Sequence, residues 1–409
     1  MKILYALDSY RPNIDGVGIS IERQALGLAR RGHEVAILAP GRSFEDYEED
    51  GDGNDIKIYR VRSVRLILDR WRLALLAEKP AENFIDKLSP DVVVVSLPFP
   101  LNSATLHASR KRGIPIVGIT GTMPEWLIYT ISFLRPFAKA VRYGMWHYIA
   151  EFYNQCDAVV AVTPTAMNLL KENGLDRPVQ VISNGVDLRQ FKPRRRNRSL
   201  AQYLSIPEKP TVLYAGRLDP EKCMDVWIRA IPDVLQELDA HFIIVGDGSE
   251  RERLMAMTSK MEIGEHVTFA GFLNSADYRS IYSLADVFAI SSPAELQSIV
   301  TLEAAASSLP IVAVNAGALP ELVHEGVNGY LFEEGNSADM AEKLLAILRE
   351  PKRAKQMGLE SRIIAQNHDI EQSVTKYEEL YHSIIGASQQ QLQLPSSPRR
   401  SNRAYPPLA

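Results

Sequence analysis

Short apolar segments alternate with amphipathic segments from the start of the chain to about residue 385. In the first half, the apolar segments are 3–7, 35–39, 56–61, 92–95, 114–119, 158–162 and 179–182. Several of them are apolar on both faces, which is typical of parallel strands covered by helices on both sides. The pattern predicts an α/β domain built on a doubly wound parallel sheet.

The alternation is interrupted by the polar, basic segment 192–198, which we interpret as an interdomain linker, and then restarts. Further apolar segments occupy 212–215, 242–245, 267–269, 287–290, 311–314 and 330–332. We therefore predict two Rossmann-like domains, residues 1–190 and 191–369, that face each other across a cleft. A helix is predicted over 370–386, and the Gln-, Ser-, Pro- and Arg-rich segment 387–409 is predicted to be disordered.

Composition supports two soluble domains of ordinary type. The 409 residues exceed the size at which one core stops growing, and 46% of them are hydrophobic. A net charge of −4 gives no general attraction to nucleic acid, so none is expected as a partner. The two cysteines have no metal-ligand spacing, and we see no signal peptide or apolar run long enough to span a membrane. These features predict a cytoplasmic protein.

Two glutamates, Glu295 and Glu303, flank a predicted helix start after the strand at 287–290. Glu295 falls in the loop and Glu303 inside the helix. Because backbone amides at a helix start attract anions, Gln297, Ser298 and Ile299 are candidates for holding a phosphate between the two carboxylates. Taken alone, the same spacing also fits a solvated helix face.

Glycine-containing turns follow three predicted strands. Gly16 and Gly18 precede the first helix, and Gly246 follows the strand at 242–245. Glycine allows the backbone to come close to a phosphate, although a tight turn also needs glycine.

A third such turn, at Gly216, carries Arg217 and leads to Lys222 at the next helix start. The helix dipole disfavours cations at this position, so two of them indicate an anionic ligand such as a diphosphate. Asp50 and Asp52 have the D-x-D spacing of some metal sites, but they lie in a run of acidic residues and glycines that indicates a solvated loop. No metal is predicted.

Two stretches, 60–72 and 126–148, combine arginines with large apolar side chains. They fit helices lying on an anionic membrane surface, with aromatic rings at the depth of the lipid headgroups. The alternative is helices packed on the domain core with their arginine side chains extended to solvent. We favour membrane contact because two such stretches occur in one domain.

Together these strand-end motifs resemble the retaining GT-B glycosyltransferases of family GT4 over nearly all of residues 1–386. Within that family the chain looks most like the bacterial diacylglycerol glucosyltransferases. The subgroup resemblance rests on RPNIDGV at 11–17, MPE at 123–125 and AELQSI at 294–299.

The resemblance implies a role for each motif residue. Arg217 and Lys222 would hold the donor diphosphate, Glu295 the donor sugar hydroxyls, Glu303 the nucleotide ribose, and Gly16 the phosphate-facing loop. It also implies that the helix at 370–386 crosses back to the first domain.

The chain departs from the family pattern in three respects. Gly121 stands where related lipid glycosyltransferases usually have a histidine, and Cys223 stands where glycine usually follows the lysine. Gln297 and Ser298 replace a common Phe-Gly pair. These departures put a contact to the sugar in question.

The resemblance implies a hexosyltransferase that moves a sugar, with glucose favoured, from a UDP-sugar to a membrane lipid such as diacylglycerol. Neither a metal nor another cofactor is expected, and the enzyme would bind peripherally to the inner face of the membrane. Three alternatives remain: a GT4 enzyme with a soluble acceptor, a sugar-nucleotide epimerase, and a sugar-binding protein without turnover.

Overall fold

The structure is a computed structural model that describes residues 1–11, 15–43, 45–50, 56–65, 72–121, 123, 128–129 and 136–393. The first domain is built on one large sheet. Its strands are β1 Lys2–Ala6, β2 Glu34–Pro40, β3 Tyr47–Asp50, β4 Ile56–Val61, β7 Val92–Val95, β8 Ile116–Ile119, β9 Ala158–Ala161 and β10 Val179–Val181, and β5 Val64–Arg65 pairs separately with β6 Arg72–Leu73. The order is β10-β9-β8-β7-β1-β2-β4-β3, with only β3 antiparallel to its neighbour.

Helices cover this sheet. Asp15 begins the first of them, because its carboxylate accepts a hydrogen bond from the Gly18 amide at 2.7 Å. Thr163 caps another in the same way through the amide of Ala166. The helices are α1 Gly16–Arg30, α2 Glu78–Leu88, α3 Pro100–Arg112, α4 Ala138–Tyr153 and α5 Pro164–Glu172.

The second domain contains a six-stranded sheet that is parallel throughout, in the order β13-β12-β11-β14-β15-β16. Its strands are β11 Thr211–Ala215, β12 His241–Val245, β13 Val267–Gly271, β14 Val287–Ile290, β15 Ile311–Val314 and β16 Gly329–Phe332. Its helices are α6 Arg198–Tyr203, α7 Met224–Arg229, α8 Ile231–Leu235, α9 Arg251–Lys260, α10 Ser275–Ile281, α11 Ile299–Ala306, α12 Ser337–Leu348 and α13 Pro351–Gln366, with 3₁₀ turns at Pro220–Lys222, Gly264–His266, Tyr282–Leu284 and Leu319–Glu321.

In each sheet, the strand order runs in opposite directions on the two sides of the first strand of the domain. In the first domain this point lies between β1 and β7, and in the second between β11 and β14. The fully buried Val92–Val95 strand illustrates why the apolar runs form central parallel strands. The predicted α/β, doubly wound, two-domain organisation is confirmed.

A final helix, α14 Ile370–Gln393, follows the second domain in sequence but packs on α1 of the first. Tyr377 and Tyr381 are fully buried there, and the Tyr381 hydroxyl lies 3.1 Å from that of Tyr5. The helix continues past the predicted end at 386, because Ala, Gln and Leu in this stretch favour helix. Residues 394–409 lie outside the described part.

The chain crosses between the domains twice, and the two crossings are hydrogen-bonded to each other. The Val186 amide donates to the carbonyl of His368 at 2.8 Å, and the Ile370 amide donates to the carbonyl of Val186 at 3.1 Å. The predicted linker 192–198 lies against the second domain, since Arg196 donates hydrogen bonds of 2.8 Å to the carbonyls of Leu284 and Pro207. Among the described helices, none is both long and apolar enough to cross a bilayer.

Candidate active site

The points of strand reversal in the two domains lie on facing edges, and the predicted site residues follow the strands that end there. A Cβ atom placed on Gly16 would lie 3.9 Å from Cδ1 of Ile299, so the first-domain turn and the start of α11 approach each other. The Thr163 hydroxyl also donates to the Leu296 carbonyl at 2.8 Å. Ligands of open α/β sheets bind at such reversal points.

The backbone turns after β11 and β12 form one surface of this site. Gly216 has φ +150° and Gly246 has φ +130°, conformations that favour glycine. A Cβ atom on Gly246 would lie 1.8 Å from the Gly216 carbonyl oxygen, so no larger residue fits without moving the backbone. These glycines therefore allow the two turns to pack backbone against backbone.

Arg217 faces the first domain from this surface. Its guanidinium donates to Asp219 and, at 2.6 Å, to Glu221, and its side chain is 42% exposed. Burial raises the pKa of Asp15, while the Gly18 amide and the Arg217 guanidinium oppose the rise. Arg217 is therefore close enough to the start of α1 to lower the pKa of the Asp15 carboxyl group electrostatically.

Lys222 and Glu295 form a largely buried ion pair. The Lys222 Nζ atom lies 2.8 Å from Glu295 Oε1, and the two side chains are 16% and 13% exposed. Lys222 and Arg217 thus each have a carboxylate partner. An anion entering the site would compete with these carboxylates for the same N–H donors.

Helix α11 begins at the predicted position, and the residues at its start form a hydrogen bond with the first domain. Ser298 caps the helix through the Thr301 amide, and Gln297 Oε1 accepts a 2.7 Å hydrogen bond from the Asn184 amide. The buried Gln297 Nε2 has no hydrogen-bond partner within the described structure. The first amides of a helix have no intrahelical acceptors, so they are available to an anion at this end.

Glu303 lies one turn into α11 and is only 2% exposed. Its carboxylate accepts hydrogen bonds from Arg23 at 2.6 Å, from Tyr278 at 2.8 Å and from Tyr282 at 3.0 Å. In this conformation a ribose hydroxyl would have to share the carboxylate with these three donors. Arg23 was not a sequence candidate, because nothing in the chain indicates contact between residues 280 positions apart.

Gly121 lies against the start of α1. A Cβ atom at this position would lie 2.6 Å from Cγ2 of Val17, so the histidine expected here from the family resemblance would require Val17 to move. Met123 is described, but Pro124 and Glu125 lie outside the described residues.

The two predicted membrane stretches differ. Arg60 is 5% exposed and pairs with Glu49 at 2.6 Å, and Arg72 donates to the hydroxyl and carbonyl of Ser63. These arginines are therefore held within the first domain, which contradicts a membrane contact at Arg60. Residues 66–71 lie outside the described part.

Within the second stretch, α4 presents an exposed aromatic and basic face. Phe137, just before the helix, is 65% exposed, and Tyr143 and Tyr148 are 69% and 59% exposed. Lys139 is also exposed, whereas Trp146 is buried on the side that packs on the domain. Residues 126–127 and 130–135 lie outside the described residues.

Profiles of two glycosyltransferase families match the two domains in turn. Residues 14–190 match the family described as "Glycosyltransferase Family 4", and residues 196–363 match "Glycosyl transferases group 1".

Individual relatives cover most of the chain. A GDP-mannose-dependent alpha-mannosyltransferase of Corynebacterium glutamicum is 28% identical over 81% of this chain and 77% of its own. An alpha-monoglucosyldiacylglycerol synthase of Acholeplasma laidlawii is 24% identical over 96% of this chain and 99% of its own.

Solved structures show the same architecture. The Anabaena protein Alr3699/HepE in complex with UDP-glucose superposes with a TM-score of 0.75, at 21% identity, over 94% of this chain and 100% of that one. The two family matches establish the family, and this likeness shows the fold. The chain is a glycosyltransferase that belongs to family GT4 and has the GT-B fold.

Proposed function

We propose that this enzyme transfers a hexose, with glucose as the first candidate, from a UDP-sugar to a hydroxyl of a membrane lipid such as diacylglycerol. The observation that carries the proposal is the convergence of Arg217, Lys222, the Gly16 turn and the start of α11 at the facing strand ends. Cations and helix amides suit a diphosphate. Donor complexes of a structural neighbour and the name of the Acholeplasma relative support it.

Donor binding would exchange ionic partners in the site. The diphosphate would take the N–H donors of Lys222 and Arg217 from their present carboxylate partners. Glu295 would then be free to accept hydrogen bonds from the sugar hydroxyls. The proposal assigns neutralisation of the leaving group to these two cations and requires no metal.

Retention of configuration would follow from same-face displacement. The acceptor oxygen would bond to the anomeric carbon on the face from which the diphosphate leaves. The anomeric carbon–oxygen bond would break, its electron pair would go to UDP, and the acceptor proton would pass to a departing phosphate oxygen. Arg217, Lys222 and the amides of α11 would stabilise the departing charge. Capture of a glycosyl adduct on a protein carboxylate would contradict this pathway.

The exposed face of α4 suits a lipid acceptor. Aromatic rings beside lysine at a surface bind the headgroup region of anionic bilayers. Phe137, Lys139 and Tyr143 supply such a surface on the domain that would bind the acceptor.

The purified chain should be incubated with vesicles containing diacylglycerol and, in separate reactions, with UDP-glucose, UDP-galactose and GDP-mannose. We expect lipid mass spectra to show a hexosyl diacylglycerol with a UDP-sugar, and product analysis to show an α-linkage. Lys222→Met should lower the rate by at least about a hundredfold, since a charged group at a leaving phosphate is lost.

The matched control is Lys209→Met, which removes an exposed lysine paired with Asp239 in the same domain. Its rate should equal that of the wild type. Hexosyl transfer only from GDP-mannose, or only to soluble acceptors, would contradict the donor or acceptor proposed.

A further inference from the structure

Three potential metal ligands meet where α14 packs on the first domain. His33 precedes β2, whereas Glu378 and His382 are four residues apart on α14 and share one face of that helix. One ligand atom from each side chain lies within 4.8 Å of the other two. Among the described residues, no other group of histidine, cysteine or acidic side chains shows this convergence.

The distances between the three potential ligand atoms are similar to those between ligands of one metal ion. His33 Nε2 lies 2.7 Å from Glu378 Oε1, and the rings of His33 and His382 are 6.1 Å apart between centroids. Ligand atoms around a tetrahedral Zn²⁺ ion are about 3.4 Å apart, as follows from Zn–N and Zn–O bonds of about 2.1 Å. His382 is exposed and can rotate toward the other two.

Neighbouring groups orient the carboxylate. Arg31 donates to Glu378 Oε2 at 2.7 Å, so that oxygen is occupied and Oε1 faces the imidazoles. A ligand carboxylate held by a second hydrogen bond is a common feature of protein metal sites.

The Met1 amino group lies 3.3 Å from His33 Nδ1, so Nε2 is the ring nitrogen directed at Glu378. A metal at Nε2 needs the neutral ring with its proton on Nδ1, where the Met1 nitrogen would accept a hydrogen bond as a neutral amine. Relative to an Nε2-protonated neutral ring beside a Met1 ammonium, one proton would be released to solvent. Two imidazoles and a carboxylate match the preference of Zn²⁺ for nitrogen and oxygen ligands.

We propose that His33, Glu378 and His382 bind one Zn²⁺ ion, with water as the fourth ligand. The site lies at the amino end of β2, whereas the candidate active site lies at the carboxyl ends of the strands. The ion would join α14 to the first domain and stabilise that contact, and it has no part in sugar transfer. The proposed sugar transfer needs no metal, and a zinc ion at this separate site does not conflict with that proposal.

Zinc binding to the metal-free full chain tests the proposal. Equilibrium dialysis should give one Zn²⁺ per chain, and Zn²⁺ at a hundred times its Kd should raise the Tm by about 3 °C. His382→Ala should weaken binding at least tenfold and abolish the Tm rise. This side chain is exposed, so the variant should fold normally.

His107→Ala is the matched control, because His107 is an exposed histidine on α3 of the same domain. It should bind Zn²⁺ as the wild type does. His33→Gln provides a second test from the other side of the contact and should also lose binding. Equal Zn²⁺ affinity of wild type and His382→Ala, or no binding by the wild type, would overturn the site.

Discussion

Asp8 follows β1 and shows what burial does to a carboxylate near the cleft. It is 4% exposed and accepts hydrogen bonds from the Leu101 and Asn102 amides at the start of α3. Burial raises the pKa of Asp8 to about 6, against the opposing effect of the Asn102 side chain and these amides. The folded protein therefore binds this proton more tightly than the unfolded chain, in which the pKa is near 3.8.

The raised pKa of Asp8 predicts that the folded state becomes more stable as the pH falls below 7. Above pH 6 the ionised Asp8 costs stability, and protonation removes that cost as the pH falls toward 4. Relative to Asp8→Asn, the wild type should gain about 2 kcal/mol of unfolding free energy between pH 7 and about pH 4.5. Urea denaturation of both proteins across this range measures the difference. A difference that does not change with pH would show that Asp8 is not the titrating group.

Some residues of the candidate site could be predicted from the sequence, and others could not. Arg217, Lys222 and Glu295 could be selected because each follows a recognisable strand, and parallel strands end on one edge. The hydrogen-bond partners of Glu303 could not be found in this way. Arg23 lies in the other domain, and its contact with Glu303 depends on how the domains are placed against each other.

At the scale of elements, α4 carries the prediction on membrane binding. Phe137→Ser with Lys139→Glu removes an exposed ring and reverses a charge on its outer face. Since each cation near an anionic surface contributes about 1 kcal/mol, binding to phosphatidylglycerol vesicles should fall at least tenfold. Flotation of the protein with vesicles measures the loss.

The control for this variant is Tyr203→Ser, which removes an aromatic side chain that is 77% exposed on the second domain. Its flotation should be unchanged, and both variants should keep the wild-type Tm. If the α4 variant floated with vesicles as the wild type does, α4 would not be the surface that binds the membrane.

The elements themselves were largely predictable, because short apolar runs that alternate with amphipathic segments are typical of buried parallel strands. The basic segment 192–198 lies largely in solvent, as its charge predicts, since Lys192, Arg194 and Arg195 are exposed. Its composition does not reveal the contact made by Arg196, which is partly buried and donates hydrogen bonds to two carbonyl groups of the second domain. Hydrogen bonds to backbone carbonyls have no signature in local composition.

For the whole molecule, the ion pair between Arg23 and Glu303 is a contact that spans the two domains. Arg23→Met would leave Glu303 buried with only its tyrosine donors, so we expect a loss of about 2 kcal/mol in unfolding free energy. Adding Glu303→Gln should restore part of this loss, because the uncompensated charge is then absent. Urea denaturation without donor, at pH 7, provides the measurement.

Arg229→Met is the comparison, since Arg229 forms an exposed pair with Asp225 within α7. Such a pair contributes less than about 0.5 kcal/mol. If Arg23→Met and Arg229→Met had equally small effects, the interdomain pair would contribute nothing to stability.

The paired crossings at Val186 and His368 would limit how the two lobes can move relative to each other. Two covalent connections that are hydrogen-bonded to each other would oppose sliding of one lobe past the other and would favour rotation about the crossings. Substrate admission and product escape would then share a single trajectory. A cross-link far from that axis would stop both at once.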